Sequence, residues 1–293
     1  MIAKSELIIN GDGSAFHIHI KPEELADIVL LVGDPGRVGM VASLFDSIES
    51  EGQSREFRFA TGFYKGKRMT CVSHGIGPDN IDIVMTELDA LANIDFETRE
   101  VKPEHRRLTL LRMGTCGAIQ PDIPLGSAIL SHVSIGFDCL MRWYAGIDKI
   151  NLQDYEDDFV RHMDWDAAGL PRPYFVKASQ RMIDLMSGWT VKGMTISAPG
   201  FYGPQGRVLR LGLAMPDMLE KLESWRYDGR RITNFEMESS ALAGMAAQLG
   251  HDAVTVCCAI ANRYAGESNT DYKPFVEKMI RQSLDTLASL PVA

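Results

Sequence analysis

Short runs of apolar, largely β-branched residues recur along this chain, and each ends at a glycine or a polar turn. The four clearest runs are Ile28–Val32, Met69–Ser73, Leu108–Met113 and Ala253–Ile260. Nearly continuous apolar character over so few residues is typical of strands that are buried on both faces of a sheet. We therefore predict that these runs form the buried strands of the fold.

Helical patterns lie between the predicted strands. Apolar residues recur at helical spacing in segments 38–45, 81–91, 238–249 and 273–290. The third segment ends at Gly250, a residue type that commonly follows the last turn of a helix. Strands that alternate with helices of this length indicate a layered α/β fold.

One pair of strands is predicted to be antiparallel. Phe57, Phe59 and Thr61 alternate with other residues before the turn Lys65-Gly66-Lys67, and the Met69 run follows that turn. This pattern is typical of a β-hairpin. We therefore expect a mixed central sheet within a three-layer α/β/α sandwich.

No domain boundary is evident along the chain. The segments 96–107 and 151–173 are polar and are expected to be surface excursions, not linkers. No internal repeat or low-complexity tract is visible. We predict one domain over residues 1–293.

Composition excludes several classes of function. The chain has 30 Lys+Arg against 39 Asp+Glu, a formal charge of −9, which argues against nucleic acid as a partner. No run approaches about 18 apolar residues, and the first ten residues do not resemble a signal peptide, so we expect a cytoplasmic protein without a membrane span. The cysteines are odd in number, and none is spaced as CxxC, which argues against a disulfide framework or a zinc site. They are Cys71, Cys116, Cys139, Cys257 and Cys258.

Several common catalytic motifs are absent from the sequence. There is no GxxxxGK[ST], no GxGxxG after a strand, no HExxH and no GxSxG. Mechanisms that use ATP, NAD or zinc therefore receive little support. The remaining candidates are polar residues at the ends of the predicted strands, where open α/β sheets usually bind ligands.

Two arginines follow buried strands beside glycine-rich turns, which favours an oxyanion site. Arg37 lies in a Gly/Pro turn that opens a helix, where free N–H groups and the helix dipole attract anions. Arg112 ends the Leu108 run and is followed by Gly114 and Gly117, while Thr115 offers a hydroxyl group. Two alternatives remain, a surface arginine at position 37 and a salt bridge from Arg112 to a buried acid.

Two further segments suggest recognition of a planar ring and a sugar. In the segment 201–207, Gln205 and Arg207 could read a C=O, N–H, C=O edge, and Phe201 could stack on the ring. In the segment 234–239, two carboxylates are spaced so that one could cap a helix while the other faces a cleft. Taken alone, the segment 201–207 could equally be a glycine-rich surface loop, and the segment 234–239 could be an acidic first turn of a helix.

Taken together, these segments resemble the nucleoside phosphorylase superfamily. The resemblance runs in order from about Phe16 to the C-terminal helix, and its motifs are GDPGR, RMGTCGAI and NFEMES. FYGPQGR and Ala261-Asn262-Arg263 resemble the branch that cleaves uridine. Purine-cleaving relatives carry a catalytic aspartate where this chain has Asn262-Arg263.

The resemblance implies a role for each matching residue. Phosphate would be bound by Gly33, Arg37, Arg112 and Thr115, with Arg55 from a neighbouring subunit. The base would be bound by Phe201, Gln205, Arg207 and Arg263. The ribose would be bound by Met237 and Glu238, with His17, or its neighbour His19, reaching across the subunit interface. The groups that act in catalysis would be Arg207, Gln205, Glu238 and Arg112.

The implied activity is reversible phosphorolysis of uridine to uracil and α-D-ribose 1-phosphate in pyrimidine salvage. Inorganic phosphate would be a co-substrate, no metal or other cofactor would be needed, and the shared sites imply a homo-oligomer, at least a dimer. The loop Gly75–Asn80 departs from the family pattern, which argues against the monovalent cation site of some members. The alternatives are a purine nucleoside phosphorylase or nucleosidase of this superfamily, and a non-catalytic nucleoside-binding protein.

Overall fold

A mixed sheet of 12 strands runs through the protein. The computed structural model describes residues 1–291. The strands are β1 Ile28–Val32, β2 Ser47–Ser54, β3 Phe57–Tyr64, β4 Lys67–Ser73, β5 Ile94–Asp95, β6 Glu100–Val101, β7 Thr109–Ala118, β8 Ala128–Gly136, β9 Tyr174–Lys177, β10 Val191–Ser197, β11 Arg226–Tyr227, β12 Arg230–Glu236, β13 Asp252–Asn262 and β14 Glu267–Ser268. Their order in the sheet is β11-β12-β10-β8-β13-β7-β1-β4-β3-β2, with β9 on β8 and β14 on β13, while β5 and β6 form a separate hairpin.

Helices cover both faces of this sheet. They are α1 Pro35–Ala42, α2 Pro78–Asn93, α3 Gln153–Met163, α4 Gln180–Met186, α5 Met218–Ser224, α6 Ser239–Leu249 and α7 Lys273–Ala288. Val29 and Leu31 of β1 pack in one core with α2 and α6. Leu30 and Val32 pack in a second core with α1, α4 and α7, since successive side chains of a strand point to opposite faces. The predicted α/β/α arrangement with a mixed sheet is confirmed.

The four predicted strands are all present. Strand β1 has the predicted bounds, and it pairs in parallel with both β4 and β7. The predicted hairpin of β3 and β4 is antiparallel, as expected. Strand β7 extends past its apolar run to Ala118, because the glycine-rich segment after Arg112 stays paired with β13.

A second pairing of β12 folds part of the sheet back on itself. Besides its parallel partner β10, β12 pairs with the end of β7 through Asn234–Ala118 and Phe235–Gly117. Strands β7, β12, β10, β8 and β13 thereby form a closed ring. This closure brings the glycine-rich end of β7 beside the acidic end of β12, two segments that are far apart in the chain.

The segment 151–173 differs from its prediction. It contains α3, and Phe159 and Trp165 are buried in an aromatic cluster with Phe175 and Trp225. The expectation of a surface excursion was therefore wrong for its apolar side chains, which are too widely spaced among charged residues to form an apolar run. The segment 96–107, by contrast, lies largely at the surface around the β5–β6 hairpin.

Candidate active site

The turn after β1 opens helix α1 and carries Arg37 inward. The carboxylate of Asp34 accepts a hydrogen bond from the Gly36 amide at 2.8 Å, which caps the helix. Arg37 is buried, and its Nη1 donates to the carbonyl of Met113 at 3.1 Å. Arg37 is thus held against the middle of β7 and is not a surface side chain, so the corresponding alternative is wrong.

The loop after β4 lies directly against this turn. The Gly75 amide donates to the Gly33 carbonyl at 3.0 Å. A Cβ on Gly33 would lie 3.1 Å from the Gly75 carbonyl oxygen, so a larger residue would push the two loops apart. On its other side the loop reaches α6, since the Gly77 amide donates to the Glu238 carboxylate at 2.7 Å. These contacts were not predicted from the sequence.

Arg112 lies at the centre of a buried polar network. Its Nη1 forms an ion pair with Glu236 at 2.9 Å, its Nη2 donates to Glu238, and its Nε donates to His74 Nε2 at 3.2 Å. A Cβ on Gly114 would lie 2.8 Å from Arg112 Nη1, so only glycine leaves room for the guanidinium here. The alternative of a salt bridge to buried acids is therefore realised in this structure, and the phosphate contact of Arg112 stays a prediction.

The two carboxylates of the acidic segment have different surroundings. Glu236 accepts hydrogen bonds from the amides of Glu238 and Ser239 and from the Ser197 hydroxyl, so it caps helix α6. Glu238 accepts hydrogen bonds from Arg112 and from the Gly77 amide, while Glu236 contacts Arg112 as an ion pair. Burial raises the pKa of Glu238 to about 6, with Glu236 adding to the rise and Arg112 opposing it. Glu236 therefore caps the helix, and the contact of Glu238 with a ligand stays a prediction.

The segment after β10 holds the residues predicted to read the base. Gln205 is buried, and its side-chain oxygen accepts a hydrogen bond from Arg207 Nη1 at 2.7 Å. The guanidinium carbon of Arg207 lies 3.7 Å from the centre of the Phe201 ring, within the range of a cation–π contact. Burial, followed by the charge of Arg263, lowers the pKa of Arg207 to about 10. The structure thus brings Phe201, Gln205 and Arg207 together.

Arg263 joins the same cluster. Its Nη1 donates to the backbone carbonyl of Gln205 at 2.8 Å. Asn262 does not face the cluster, because its amide donates to the carbonyls of Gln120 and Ile123. Its side-chain oxygen accepts from the next backbone amides, at Tyr264 and Ala265. Asn262 therefore fixes the turn from which Arg263 extends, a role that the sequence did not reveal.

The other predicted site residues are less buried. Met237 and Thr115 are partly buried at the ends of β12 and β7. His17 hydrogen-bonds through Nδ1 to Glu87 at 2.6 Å and retains 29% of its side-chain exposure. Arg55 is exposed in the β2–β3 turn, and His19 is exposed near His17. Both of these last two residues have a positive φ of 53°.

One group of side chains among residues 1–291 has the composition of a metal site, outside the predicted site. Asp89, His105 and His251 bring their ligand atoms within 4.8 Å of one another. His251 is already engaged on both ring nitrogens, with the Leu108 amide at Nδ1 and with Asp89 at Nε2. His105 Nε2 bonds to the carbonyl of Leu249. The group is therefore a satisfied hydrogen-bond network.

The helices of the described residues were also compared with the requirements of a membrane span. None of the helices between residues 1 and 291 combines the length and the apolar character that a membrane crossing requires.

Comparison with known proteins finds relatives among nucleoside phosphorylases. A uridine phosphorylase of Thermococcus kodakarensis is 30% identical over 256 residues, which are 87% of this chain and 80% of the relative. A DeoD-type purine nucleoside phosphorylase of Tolumonas auensis is 27% identical over 92% of this chain and 97% of the relative. Sequence relatives therefore include both pyrimidine and purine enzymes.

A solved structure matches almost the whole fold. The crystal structure of a Trypanosoma brucei nucleoside phosphorylase, described as showing uridine phosphorylase activity, has a TM-score of 0.85 and 29% identity. The match covers 97% of this chain and all of the other chain. The family model of the phosphorylase superfamily matches residues 27–291. This chain belongs to the phosphorylase superfamily.

Proposed function

We propose that this protein is a uridine phosphorylase, which converts uridine and phosphate to uracil and α-D-ribose 1-phosphate. The main observation in support is the arrangement of three side chains. Gln205 is buried, and Arg207 donates a hydrogen bond to it and packs against the ring of Phe201. These side chains present an amide and a guanidinium, which match the C=O, N–H, C=O edge of uracil. The uridine phosphorylase of T. kodakarensis and the T. brucei structure support this choice of base.

Phosphate is the proposed nucleophile. The start of helix α1, with Arg37 and Thr115, provides donors for its oxygens, and Arg112 lies beside them. The bound phosphate attacks C1′ from the face opposite the base, so no covalent intermediate with the enzyme is needed. Holding the two reactants in this orientation contributes to the rate by proximity.

Departure of uracil is assisted by the base cluster. As the bond from C1′ to the base breaks, positive charge builds on the ribose and negative charge on the uracil. Arg207 and Gln205 stabilise that negative charge through hydrogen bonds that are in place before reaction. Arg263, bonded to the backbone of Gln205, holds this segment in position.

The ribose is proposed to bind between these two groups. Glu238 accepts hydrogen bonds from the 2′- and 3′-hydroxyls, and Met237 forms an apolar surface beside the sugar. Glu238 is bonded to Arg112 in the present structure, so ribose binding changes the partner of this carboxylate. His17 contacts the 5′-hydroxyl, and Arg55 contacts phosphate, each in the site of a neighbouring subunit.

Several broader properties follow from this proposal. Sites completed by His17 and Arg55 require a homo-oligomer, at least a dimer. Because phosphate is itself the nucleophile, the reaction needs no metal or other resident cofactor. We propose one domain over residues 1–293, a cytoplasmic location and a role in pyrimidine salvage, with no nucleic acid partner.

A purine nucleoside phosphorylase is the second candidate, because the T. auensis relative carries that name. The arrangement of Asn262 argues against a purine nucleoside phosphorylase. Its side chain is hydrogen-bonded to backbone groups at both its nitrogen and its oxygen, and an amide has no acidic proton to give to a base. A nucleosidase would not need the buried Arg37, and a non-catalytic binding protein would not need the complete set of charged groups.

A substrate panel tests the proposal. Uridine, thymidine and inosine are each incubated with the enzyme, with and without phosphate, and base release is followed by absorbance. The proposal predicts the fastest release from uridine with phosphate. A preference for inosine would support the purine candidate instead, and no release from any nucleoside would support a binding protein.

A further inference from the structure

His74 is a buried imidazole that none of the roles above uses. It directly follows strand β4 and has 0% exposure. Its backbone amide donates to the Val32 carbonyl. Its Nδ1 has no hydrogen-bond partner within residues 1–291. A buried polar atom without a partner is costly, so its presence points to a ligand that completes it.

The protonation of this ring is fixed by Arg112. The Nε of Arg112 always carries a proton and donates it to His74 Nε2 at 3.2 Å. A neutral imidazole that accepts at Nε2 must carry its proton on Nδ1. Burial, then the charges of Arg112 and Arg37, hold the pKa of His74 well below its usual range, while the Gly75 backbone acts in the opposite direction. His74 therefore offers a neutral N–H group.

The ring lies between two of the expected phosphate contacts. Its Cε1, which is bonded to both ring nitrogens, is 3.9 Å from the position that a Cβ on Gly33 would occupy. Its Nε2 meets Arg112 on the other side. The ring that carries the unpartnered N–H thus lies near the Gly33 turn, beside the start of helix α1.

Arg112 itself has few donors left for an anion. Of the five N–H groups of a guanidinium, Arg112 donates one to His74 through Nε, one to the Cys257 sulfur through Nη1 and one to Glu238 through Nη2. Glu236 forms an ion pair with Nη1. Within residues 1–291 two N–H groups make no hydrogen bond, one on Nη2 and one on Nη1, and the Nη1 group lies against Glu236. An anion at this place therefore needs donors other than Arg112.

We propose that His74 is an additional phosphate-binding residue, whose Nδ1–H donates to an oxygen of the phosphate held between the Gly33 turn and Arg112. This inference rests on the proposed function and adds one residue to its phosphate site. A neutral donor binds the anion without adding a further positive charge beside Arg37 and Arg112. Its hydrogen bond to Arg112 also holds the ring in the donating tautomer.

Matched substitutions separate donation to phosphate from support of Arg112. The amide of asparagine overlays the Nδ1 side of histidine, and the amide of glutamine overlays the Nε2 side. His74→Asn keeps a donor toward phosphate, His74→Gln keeps a partner for Arg112, and His74→Phe keeps neither. His162→Gln is the control, because His162 is an exposed histidine on α3 that bonds to the Lys221 carbonyl.

The measurement is calorimetric titration of inorganic phosphate into the full-length protein without nucleoside, with thermal unfolding to verify that each variant is folded. We expect Kd for phosphate to rise roughly tenfold or more in His74→Gln and His74→Phe, as the loss of a hydrogen bond to a charged group typically causes. We expect His74→Asn and His162→Gln to stay within about threefold of wild type.

Two results with the variants would overturn the inference. One is a His74→Gln affinity within about threefold of wild type, and the other is a His74→Asn affinity as poor as that of His74→Phe. If the wild type binds phosphate but does not consume uridine, the proposed function fails and the titration still judges His74. If it consumes uridine and His74→Gln binds phosphate normally, the role of His74 alone fails. A wild type that does not bind phosphate overturns both.

Discussion

The guanidinium of Arg112 and the carboxylate of Glu238 form an ion pair inside the protein, with both residues at least 96% buried. In the proposed mechanism the first binds phosphate and the second binds ribose. The pair therefore joins the binding sites of the two reactants. Because Arg112 also bonds to Glu236, it keeps a counter-charge when Glu238 turns to the ribose.

Replacement of the two carboxylates is expected to have different effects. Glu238→Gln should abolish most nucleoside binding but leave the protein folded, since Arg112 keeps its ion pair with Glu236. Glu236→Gln should lower the free energy of unfolding by roughly 3 kcal/mol. The reason is that the glutamine N–H groups would face the two backbone N–H groups that now donate hydrogen bonds to Glu236. Nucleoside titration and denaturant unfolding of both variants measure the two effects. Equal loss of stability in both variants would contradict this division of roles.

Arg207 is expected to act mainly in the departure of the base. Arg207→Ala should lower kcat/KM for uridine by roughly 10²-fold or more, as the loss of one donor to a developing anion typically does. Arg210→Ala is the matched control, because Arg210 lies in the same loop but is exposed. Steady-state kinetics with saturating phosphate measure both. A loss under about threefold for Arg207→Ala would rule out the assigned role.

Gly114 is expected to be required by the position of Arg112. In Gly114→Ala the new Cβ would lie 2.8 Å from both Arg112 Nη1 and Cys257 Sγ, so the guanidinium must move. We expect at least tenfold weaker phosphate binding, by the loss of about one charged hydrogen bond. Gly117→Ala on the same strand is the control, since its Cβ would meet Arg263 at an ordinary 3.5 Å. Calorimetric titration of phosphate distinguishes the two, and similar affinities would contradict the steric argument.

Activity is expected to fall in acid through Glu238. Only the ionised carboxylate accepts both ribose hydroxyls, and its pKa is about 6. Below that pH, kcat/KM for uridine at saturating phosphate should fall about tenfold for each pH unit. Folding raises this pKa, so the folded state binds the proton more tightly, and Glu238 contributes most to stability below its usual pKa and loses that contribution as pH rises through about 6.

Protonation of Glu238 does not destabilise the folded protein, so the expected loss of activity in acid is not caused by unfolding that this residue triggers. Circular dichroism at each pH is the control for unfolding through other groups, among them His74, whose lowered pKa removes stability in acid. A constant kcat/KM from about pH 7 to pH 5 would contradict the assignment of Glu238.

The sequence predicts the buried strands well, because their side chains must be apolar on both faces. Ile28–Val32 is an example, since it forms β1 with the predicted bounds. The closure of the sheet through Asn234 and Phe235 was not predictable, because the pairing of β12 with β7 depends on how the sheet curves. Phe159 and Trp165 were missed for a related reason, as isolated apolar residues among charges carry little periodic signal.

Candidate site residues were predictable from the sequence where they belong to a recognisable motif. Arg37, Gln205, Arg207 and Glu238 were all identified from glycine-rich or acidic segments, and their proposed roles came from the family resemblance. His74 was missed, because a single histidine after an apolar strand looks like any satisfied core residue in sequence. Its significance depends on which of its atoms lack partners, and that is a property of the folded chain alone.

The central claim is tested most directly by the phosphate dependence of uridine cleavage. Uracil and ribose 1-phosphate are quantified after incubation of the protein with uridine, in buffer with phosphate and in buffer from which phosphate has been removed. The account predicts that the two products form in equal amounts and only when phosphate is present. Uracil release at the same rate without phosphate, with free ribose as the second product, would contradict it.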